Sequence, residues 1–237
     1  SKFWISSYSV PNGLDKQATL FRLAFNMTPY PAPQVYVVDD DPALRDSLRC
    51  LLDSVGLRAL VFADTDAFLA AYQPDRPGCL LLDVHIPGRN DLNVQQRLHG
   101  HGIDVPVIIV TGHGDVAMAV TAMKQGALDF IEKPFNEQLL LDCVHHALAE
   151  DVVRRRTRAR RRELLRRFDT LTPREQDVLR RVVEGLSNRE IAEVLSLSRK
   201  TVEVHRAKVM QKMEADTLSQ LIRMAMAIGI LKVYDEA

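Results

Sequence analysis

Residues 79–88 read CLLLDVHIPG. The apolar run at its start is typical of a buried strand, yet the run ends at the carboxylate of Asp83. A charge buried without a partner is costly, so a protein that places one there pairs it, hydrates it or uses it. The surrounding sequence indicates which of these three applies.

Apolar strands alternate with amphipathic helices from residue 34 to residue 150. The predicted strands are QVYVV, RALVF, CLLLD, VPVIIVT and LDFIEK. The predicted helices are Pro42–Val55, a short one from Asp64 or Thr65 to Tyr72, Leu92–Leu98, Asp115–Gln125 and one that begins near Asn136. Such alternation predicts an α/β, flavodoxin-like, doubly wound domain with five parallel strands, whose site lies beyond the carboxyl ends of the strands.

Charge divides the chain into two parts. The 237 residues are enough for one or two domains. Residues 1–150 contain 11 basic and 18 acidic residues, and residues 151–237 contain the other 20 and 13, so the net charges are −7 and +7. An acidic module followed by a basic one favours nucleic acid as the partner of the second module; the alternative is a solvated charged surface.

The remaining composition indicates a cytoplasmic protein with no membrane partner. Cys50, Cys79 and Cys143 are widely spaced, so we expect reduced thiols and no metal site there. No apolar run reaches the roughly 20 residues of a membrane helix, and the N-terminus has no signal-peptide pattern. Residues 1–31 fit nothing that follows, so we expect an irregular N-terminal extension, either added in cloning or an unusual leader; Met27 would make a natural start codon.

Five side chains should meet at one edge of the predicted sheet. Asp39 and Asp40 end the first strand and Asp83 ends the third, and these strands are neighbours in a doubly wound sheet. Close carboxylates repel one another unless a cation lies between them, and oxygen ligands with room for water suit Mg²⁺. Thr111 and Lys133 end the fourth and fifth strands, at the same edge. Acids, a hydroxyl and an ammonium are what phosphoryl transfer requires, with Asp83 as nucleophile.

Each of these residues alone has a simpler interpretation. A strand-end Asp is commonly the N-cap of the next helix, which is our interpretation of Asp41, with Pro42 at the first helical position. A lone Lys is commonly a surface residue. The coincidence at four strand ends favours a site.

These strand ends resemble the receiver domain of two-component response regulators, over residues 34–150. The matching stretches are VYVVDDD, LLLDVHIPG, VIIVTGHGDVAMAV and GALDFIEKPF. The separations also fit that family: 43 residues from Asp40 to Asp83, 28 more to Thr111 and 22 more to Lys133. In this family the peptide bond from Lys133 to Pro134 is often cis.

The resemblance implies a phospho-acceptor and a metal site. Asp83 would accept a phosphoryl group from a sensor histidine kinase. Asp39 and Asp40 would form the acidic pocket for Mg²⁺ (or Mn²⁺), with Asp40 as a direct ligand. His85 would offer only its backbone carbonyl to the metal.

The resemblance also implies a switch. Thr111 would hydrogen-bond the phosphoryl group and Lys133 would neutralise it, while Phe130 occupies the aromatic switch position; its alternative role is core packing. We expect Thr111 to move toward the phosphoryl group and Phe130 to rotate inward. The surface formed by Asp115–Gln125 and Asp129–Glu132 would then pair as a symmetric homodimer.

One stretch departs from the family pattern. After IPG the family usually has a small or apolar residue, a serine-like residue and Gly, whereas this chain has Arg89, Asn90 and Asp91. Asn and Asp tolerate left-handed backbone better than most residues, though less well than Gly. The departure keeps open a second interpretation, a constitutive DNA-binding protein with a silent receiver.

The basic half contains two capping boxes, TPRE at Thr172–Glu175 and SNRE at Ser187–Glu190. The predicted helices are Pro173–Glu184, Asn188–Leu195, Arg199–Met213 and a fourth at about Thr217–Ile228. Ser198 should cap the third of these, after the tight turn SLS. Helix, short turn, helix is a helix-turn-helix, whose second helix enters the major groove of DNA.

The helix Arg199–Met213 should present one face to DNA. Val202, Val209 and Met213 fall on one stripe and should face the core. The predicted DNA contacts, to bases or phosphates, are Arg199, Lys200, Thr201, Glu203, Val204, Arg206, Ala207, Lys208 and Lys212. The alternative is a solvated basic helix in a small bundle.

The stretch LTPREQDVLRRVVEGLSNREIAEVLSLSRKTVEVHRAKVMQKM resembles the LuxR-type helix-turn-helix of FixJ/NarL-type transcription regulators, over residues 168–231. The resemblance implies a small all-α domain of four helices at residues 169–237. In that family the fourth helix often mediates dimer contact on DNA. Double-stranded promoter DNA would be the partner, with RNA polymerase as a further candidate.

Residues 151–168 form a basic linker that should continue the last helix of the receiver. Apolar residues recur every four positions from Leu140 to Val152, so this part packs on the sheet. Residues 154–162 contain no large apolar residue, but Arg and Ala are good helix formers and no Gly or Pro occurs before Pro173. We predict one long helix from about Asn136 to about Phe168; the alternative is a flexible linker.

These observations predict a phosphorylation-controlled transcription regulator, with the receiver at residues 32–150. It would catalyse only its own phosphorylation and dephosphorylation, so it would not be an enzyme with a separate substrate. A candidate from another class is a Mg²⁺-dependent phosphotransferase or phosphatase. Against that alternative, His85 stands two residues after Asp83 in place of a second acid, and the sequence has no substrate-cap insertion.

Overall fold

The structure is a computed structural model that describes residues 31–83, 97, 98, 100–112 and 116–231. The chain divides into two compact units, Ser1–Arg154 and Arg155–Ala237. Of the predicted helix Leu92–Leu98, only Arg97 and Leu98 are among the described residues. Within the described ranges, no helix combines the length and the apolar character that a membrane crossing requires.

The first unit contains a parallel sheet of five strands. They are β1 (Gln34–Val38), β2 (Arg58–Phe62), β3 (Gly78–Leu82), β4 (Val107–Thr111) and β5 (Asp129–Glu132). Their order in the sheet is β2-β1-β3-β4-β5, and every pairing is parallel. β1, β3 and β4 are buried along their whole length, as expected for central strands covered on both faces. The predicted doubly wound fold is confirmed.

Two apolar clusters cover the faces of this sheet because side chains alternate along each strand. Helices that contribute to these clusters are α1 (Pro42–Ser54), α2 (Thr65–Ala71), α3 (Val116–Lys124) and the start of α4 (Glu137–Asp169). Val35 and Val37 face Leu48 and Leu52 of α1 together with α4. Tyr36 and Val38 belong to the cluster that contains α2 and α3 residues. Alternate residues of β1 thus pack into the apolar clusters on opposite faces of the sheet.

Helix α1 begins as predicted. The Asp41 side chain accepts a hydrogen bond from the Ala43 backbone N–H at 2.9 Å, and Pro42 occupies the first helical position. Asp41 is therefore a helix cap.

Helix α4 is a single helix of 33 residues, Glu137–Asp169, which confirms the predicted long helix. Asn136 caps it, because its side-chain oxygen accepts hydrogen bonds from the backbone N–H groups of Gln138 and Leu139. The first turns pack on the sheet through Leu140 and its neighbours in the same cluster. Residues 156–162 are all exposed.

The second unit is a bundle built on four further helices. They are α5 (Pro173–Val183), α6 (Asn188–Leu195), α7 (Arg199–Met213) and α8 (Leu218–Ala227). Both predicted capping boxes are present, at Thr172–Glu175 and at Ser187–Glu190. The predicted core stripe of α7 is buried, and it packs in one cluster with Leu164 of α4 and Leu221 of α8.

Candidate functional site

Three carboxylates lie together at the carboxyl edge of the sheet. One oxygen from each of Asp39, Asp40 and Asp83 lies within 4.8 Å of the other two. β1 pairs with β3 so that Val38 lies opposite Leu82. Asp39 and Asp83, which directly follow these two residues, are therefore neighbours. Asp39 and Asp83 are buried, whereas Asp40 is exposed. Strand register thus explains why these acids meet.

The Lys133 ammonium lies between two of the acids. Its Nζ is 2.7 Å from Oδ2 of Asp39 and 2.7 Å from Oδ2 of Asp83. Burial alone would lower the pKa of Lys133, but the hydrogen bonds and charges of Asp39 and Asp83 outweigh burial and raise that pKa above its usual value. Asp83 is therefore paired with an ammonium that stays charged at neutral pH.

Thr111 and Phe130 lie where the strand order places them. Thr111 ends β4, is fully buried, and accepts a hydrogen bond at its carbonyl oxygen from the Lys133 backbone N–H at 2.8 Å. Phe130 of β5 is half-buried and packs against an apolar cluster of the sheet. The Lys133–Pro134 peptide bond is cis. His85 and the Arg89–Asp91 departure lie outside the described residues.

Arg45 is a site residue that the sequence analysis missed. Its guanidinium Nη1 donates a hydrogen bond to the backbone carbonyl of Asp39 at 2.6 Å. The Asp39 side chain in turn accepts a hydrogen bond from the Asp41 N–H at 2.9 Å. Helical side chains lean toward the N-terminus of their helix, so a long side chain near the start of α1 reaches back to the end of β1. That geometry was the available signal for Arg45.

The exposed face of α7 contains most of the predicted DNA contacts. The exposed members of the predicted set are Arg199, Lys200, Glu203, Val204, Ala207 and Lys208. The turn that precedes this helix begins at Ser196, the C-cap of α6, which has a positive φ of 53°. Val204 is a large apolar residue with 49% of its surface exposed. A basic helix face with an exposed apolar residue suits the major groove, where methyl groups and base edges are both read.

Three of the predicted DNA contacts have side-chain partners within the second unit. Thr201 Oγ1 lies 2.8 Å from Oγ of Ser198, the cap of α7. Arg206 Nη1 donates to Oδ1 of Asn188 at 2.9 Å and so joins α7 to α6. Lys212 forms the most buried of these contacts.

The Lys212 ammonium binds the capping-box acid of α5. Its Nζ is 2.6 Å from Oε2 of Glu175 and 3.0 Å from the carbonyl oxygen of Thr170. Glu175 is almost completely buried, and the hydrogen bond from Lys212 holds the pKa of that carboxyl below its usual value. The ammonium therefore points into the unit in this structure.

Arg167 is a second residue that the sequence analysis missed. From the end of α4, its guanidinium donates to the Met213 carbonyl at 3.3 Å and lies 2.8 Å from the Glu214 carboxylate. It also binds Glu163 at 3.1 Å. Arg167 thus holds the C-terminus of α7. No pattern distinguishes it from the other arginines of the same stretch.

The two halves of the chain match two family models. The response regulator receiver domain matches residues 35–145. Bacterial regulatory proteins of the luxR family match residues 169–225.

Several curated relatives match this chain over most of their own length. The transcriptional regulatory protein FixJ of Bradyrhizobium diazoefficiens is 42% identical over 197 residues, which are 83% of this chain and 96% of that protein. Nodulation protein W of the same organism is 44% identical over 202 residues, covering 85% and 89%. The solved low-resolution structure of response regulator StyR has a TM-score of 0.71 and 39% identity, and the match covers 83% of this chain and 99% of that one. This chain therefore belongs to the response regulators that join a receiver domain to a LuxR-type DNA-binding domain.

Proposed function

We propose that this transcription regulator is controlled by phosphorylation of Asp83. The observation that carries the proposal is the Lys133 ammonium held at 2.7 Å from both Asp39 and Asp83 at the carboxyl edge of the sheet. The proposed modules are a receiver at residues 32–150, a linker at 151–168 and a DNA-binding domain at 169–237. A sensor histidine kinase would be the phosphoryl donor.

Asp83 would act as the nucleophile. A carboxylate oxygen forms the new bond to phosphorus while the bond between phosphorus and the donor breaks, and the donor's leaving group keeps the electron pair. Lys133 then balances charge on the phosphoryl oxygens. Thr111, at the end of the neighbouring strand, would donate its hydroxyl hydrogen to one of these oxygens.

The acid cluster fits a divalent cation. Among the described residues, three carboxylates face the Lys133 ammonium and the Arg45 guanidinium, so negative charge is in excess before a phosphoryl group adds about 1.5 to 2 further negative charges. The ligand atoms are oxygens, and the exposed position of Asp40 leaves room for water. Asp39, Asp40, Asp83 and the backbone carbonyl of His85 would hold Mg²⁺ or Mn²⁺. When bound, the ion supplies neutralisation of the phosphoryl oxygens.

Phosphorylation would be transmitted through Thr111 and Phe130 to a dimer surface. The proposed surface is Asp115–Gln125 with Asp129–Glu132. Val120 and Met123 of α3 each expose 46% of their surface, so this face already carries apolar residues suited to a partner. Symmetric pairing of two receivers would bring two copies of α7 to a promoter site.

A two-stage experiment tests this function. The full chain is first incubated with acetyl phosphate and Mg²⁺, and phosphate incorporation and sedimentation are measured. Binding to promoter fragments is then compared with and without phosphorylation. The proposal predicts stoichiometric incorporation, increased self-association and tighter DNA binding.

Other outcomes contradict parts of the proposal. DNA binding that is unchanged by complete phosphorylation would support a constitutive regulator with a silent receiver. Repeated turnover of small phosphate esters would support the phosphotransferase or phosphatase alternative. Unchanged sedimentation on quantitative phosphorylation would exclude the dimer switch.

A further inference from the structure

Residues 154–162 of α4 form a dense positive surface that neither the phosphoryl site nor the helix-turn-helix uses. The stretch RRRTRARRR contains seven arginines in nine residues, and no acid occurs between Asp151 and Glu163. It is helical throughout, and residues 156–162 are exposed. We call residues 154–162 the arginine surface.

Most of this charge lacks an acid beside it. Arg154 pairs with Glu150 at 3.0 Å and with Asp104 at 3.7 Å. Four other members have no ion pair or side-chain hydrogen bond within the part of the chain that the structure describes: Arg156, Arg160, Arg161 and Arg162.

Arginines elsewhere in the second unit behave differently. Six of them form an ion pair with an acid three or four residues away in the chain: Arg166, Arg167, Arg174, Arg180, Arg181 and Arg189. Within the arginine surface, like charges instead stand four residues apart, as in Arg156 and Arg160, which destabilises a helix. A partner that carries dense negative charge would relieve this repulsion.

We propose that the arginine surface binds phosphates of duplex DNA beside the site held by α7. This proposal rests on the proposed DNA binding by the second unit. The stretch is about 13 Å long, a length over which one strand of B-DNA carries about four phosphates. Arg is also well suited to phosphate, because its guanidinium forms two parallel hydrogen bonds.

The observations favour DNA over an anionic membrane. A helix that lies on a membrane needs an apolar face, and residues 154–162 contain no large apolar residue. The last turns of the same helix belong to the core of the DNA-binding unit through Leu164 and Phe168. Because the helix continues into this core, binding of α7 to DNA would raise the effective concentration of phosphates near the arginine surface.

The test is the salt dependence of DNA binding by the full chain. In the Gln variant, Arg156, Arg160, Arg161 and Arg162 are replaced by Gln; in the Lys variant, the same four become Lys. Arg, Lys and Gln have similar helix propensities, so circular dichroism should show that the helix is retained in all three proteins. The probe is a random-sequence 40-base-pair duplex, titrated at several salt concentrations.

We expect the Gln variant to show a weaker salt dependence of binding than the wild type and the Lys variant to keep the wild-type dependence. The slope of log affinity against log salt should become shallower by about 0.9 for each phosphate that is no longer neutralised, and by up to about 3.6 for four arginines. Amide exchange at residues 155–162 of the wild type should also slow when DNA is added. A wild-type slope in the Gln variant would overturn the proposal.

Two further arms separate the causes of failure. In the first, the wild type binds phosphatidylserine vesicles and the Gln variant does not, while both proteins have the same DNA slope. This result would assign the surface to a membrane and reject the proposal. If the wild-type chain binds neither random duplex nor promoter fragments, the proposed DNA binding fails as well. An unchanged slope with intact wild-type binding rejects the arginine surface alone.

Discussion

Two regions of the molecule hold a lysine ammonium against buried carboxylates, and they differ in how their charges balance. At the sheet edge, Lys133 lies between Asp39 and Asp83, and Asp40 adds a third acid within 4.8 Å. In the second unit, Lys212 binds a single acid, Glu175, at 2.6 Å.

This difference distinguishes the proposed phosphoryl site from a structural contact. Both lysines form short ion pairs with acids whose side chains are at most 8% exposed, so an ion pair alone does not mark function. One carboxylate paired with one ammonium has no net charge. Among the described residues, three acids against the Lys133 ammonium and the Arg45 guanidinium still leave negative charge in excess, and a further cation would relieve the repulsion between the carboxylates. Substitutions in the two regions should therefore have different consequences.

The largest expected effect is the loss of phosphorylation in Asp83→Asn. A neutral amide is a poor nucleophile, so incorporation of phosphate from acetyl phosphate should fall to background at every Mg²⁺ concentration. Asp40→Ala should instead fail at metal binding, so higher Mg²⁺ should partly restore its rate. Incorporation by Asp83→Asn at the wild-type rate and stoichiometry would show that the acceptor is another residue.

The parts of this site that could be predicted are those that depend on local sequence patterns. Strand ends are visible in the sequence, and parallel strands bring their carboxyl ends to one edge, so the sequence was enough to place Asp39, Asp83 and Lys133 together. The same periodicity predicted α4 as one helix. These features depend on local pattern and strand order alone.

The contacts that escaped prediction are made by long side chains across elements. Arg45 and Arg167 donate to the backbone carbonyls of Asp39 and Met213. Every residue has a carbonyl, so a sequence does not show which carbonyl a long side chain will reach. Helical phase placed Lys212 beside the DNA-facing side of α7. Its ammonium turns toward Glu175 because α5 packs against α7, and a single-helix projection does not contain that neighbour.

The next effect in size concerns base reading by α7. Glu203→Ala and Val204→Ala should each reduce binding to a selected site by about 1–3 kcal/mol while binding to random duplex changes little. Both side chains are exposed on the face that would enter the groove. Competition titrations with selected and random duplexes measure the difference. Equal losses on the two DNAs would reject this placement of α7.

A matched pair of lysines tests the structural role of Lys212. Lys212→Gln leaves the buried Glu175 carboxylate without its ammonium and should lower the free energy of unfolding by about 1–3 kcal/mol. The salt slope for DNA should stay unchanged. Lys208→Gln, at an exposed position of the same helix, should leave stability within about 0.5 kcal/mol but lower the slope by about one. The opposite pattern, from urea unfolding and DNA titration, would make Lys212 a phosphate contact.

Acid should narrow the stability difference between wild type and Lys212→Gln. The pKa of Glu175 lies below its ordinary value of about 4.3, chiefly because Lys212 donates a hydrogen bond to the carboxylate. A lowered folded-state pKa contributes stability above the unfolded pKa and loses it as pH falls through the folded pKa. Urea unfolding should therefore show a constant difference near neutral pH and a smaller one below about pH 4. If the stability difference between the two proteins does not depend on pH, the ion pair of Lys212 with Glu175 does not contribute to stability.

The smallest expected effect is partial protection of amides in the arginine surface. Repulsion between like charges four residues apart opposes helix by a few tenths of a kcal/mol per pair. The helix is nevertheless continuous with buried turns on both sides, at Leu148 and at Leu164, so it extends without a new nucleation cost. Amides at 155–162 should exchange more slowly than in an unfolded peptide and faster than those at 140–152, and added salt should slow them by screening the arginines. Exchange as fast as in an unfolded peptide would show a flexible tether in solution, and the arginine surface would then order only on its partner.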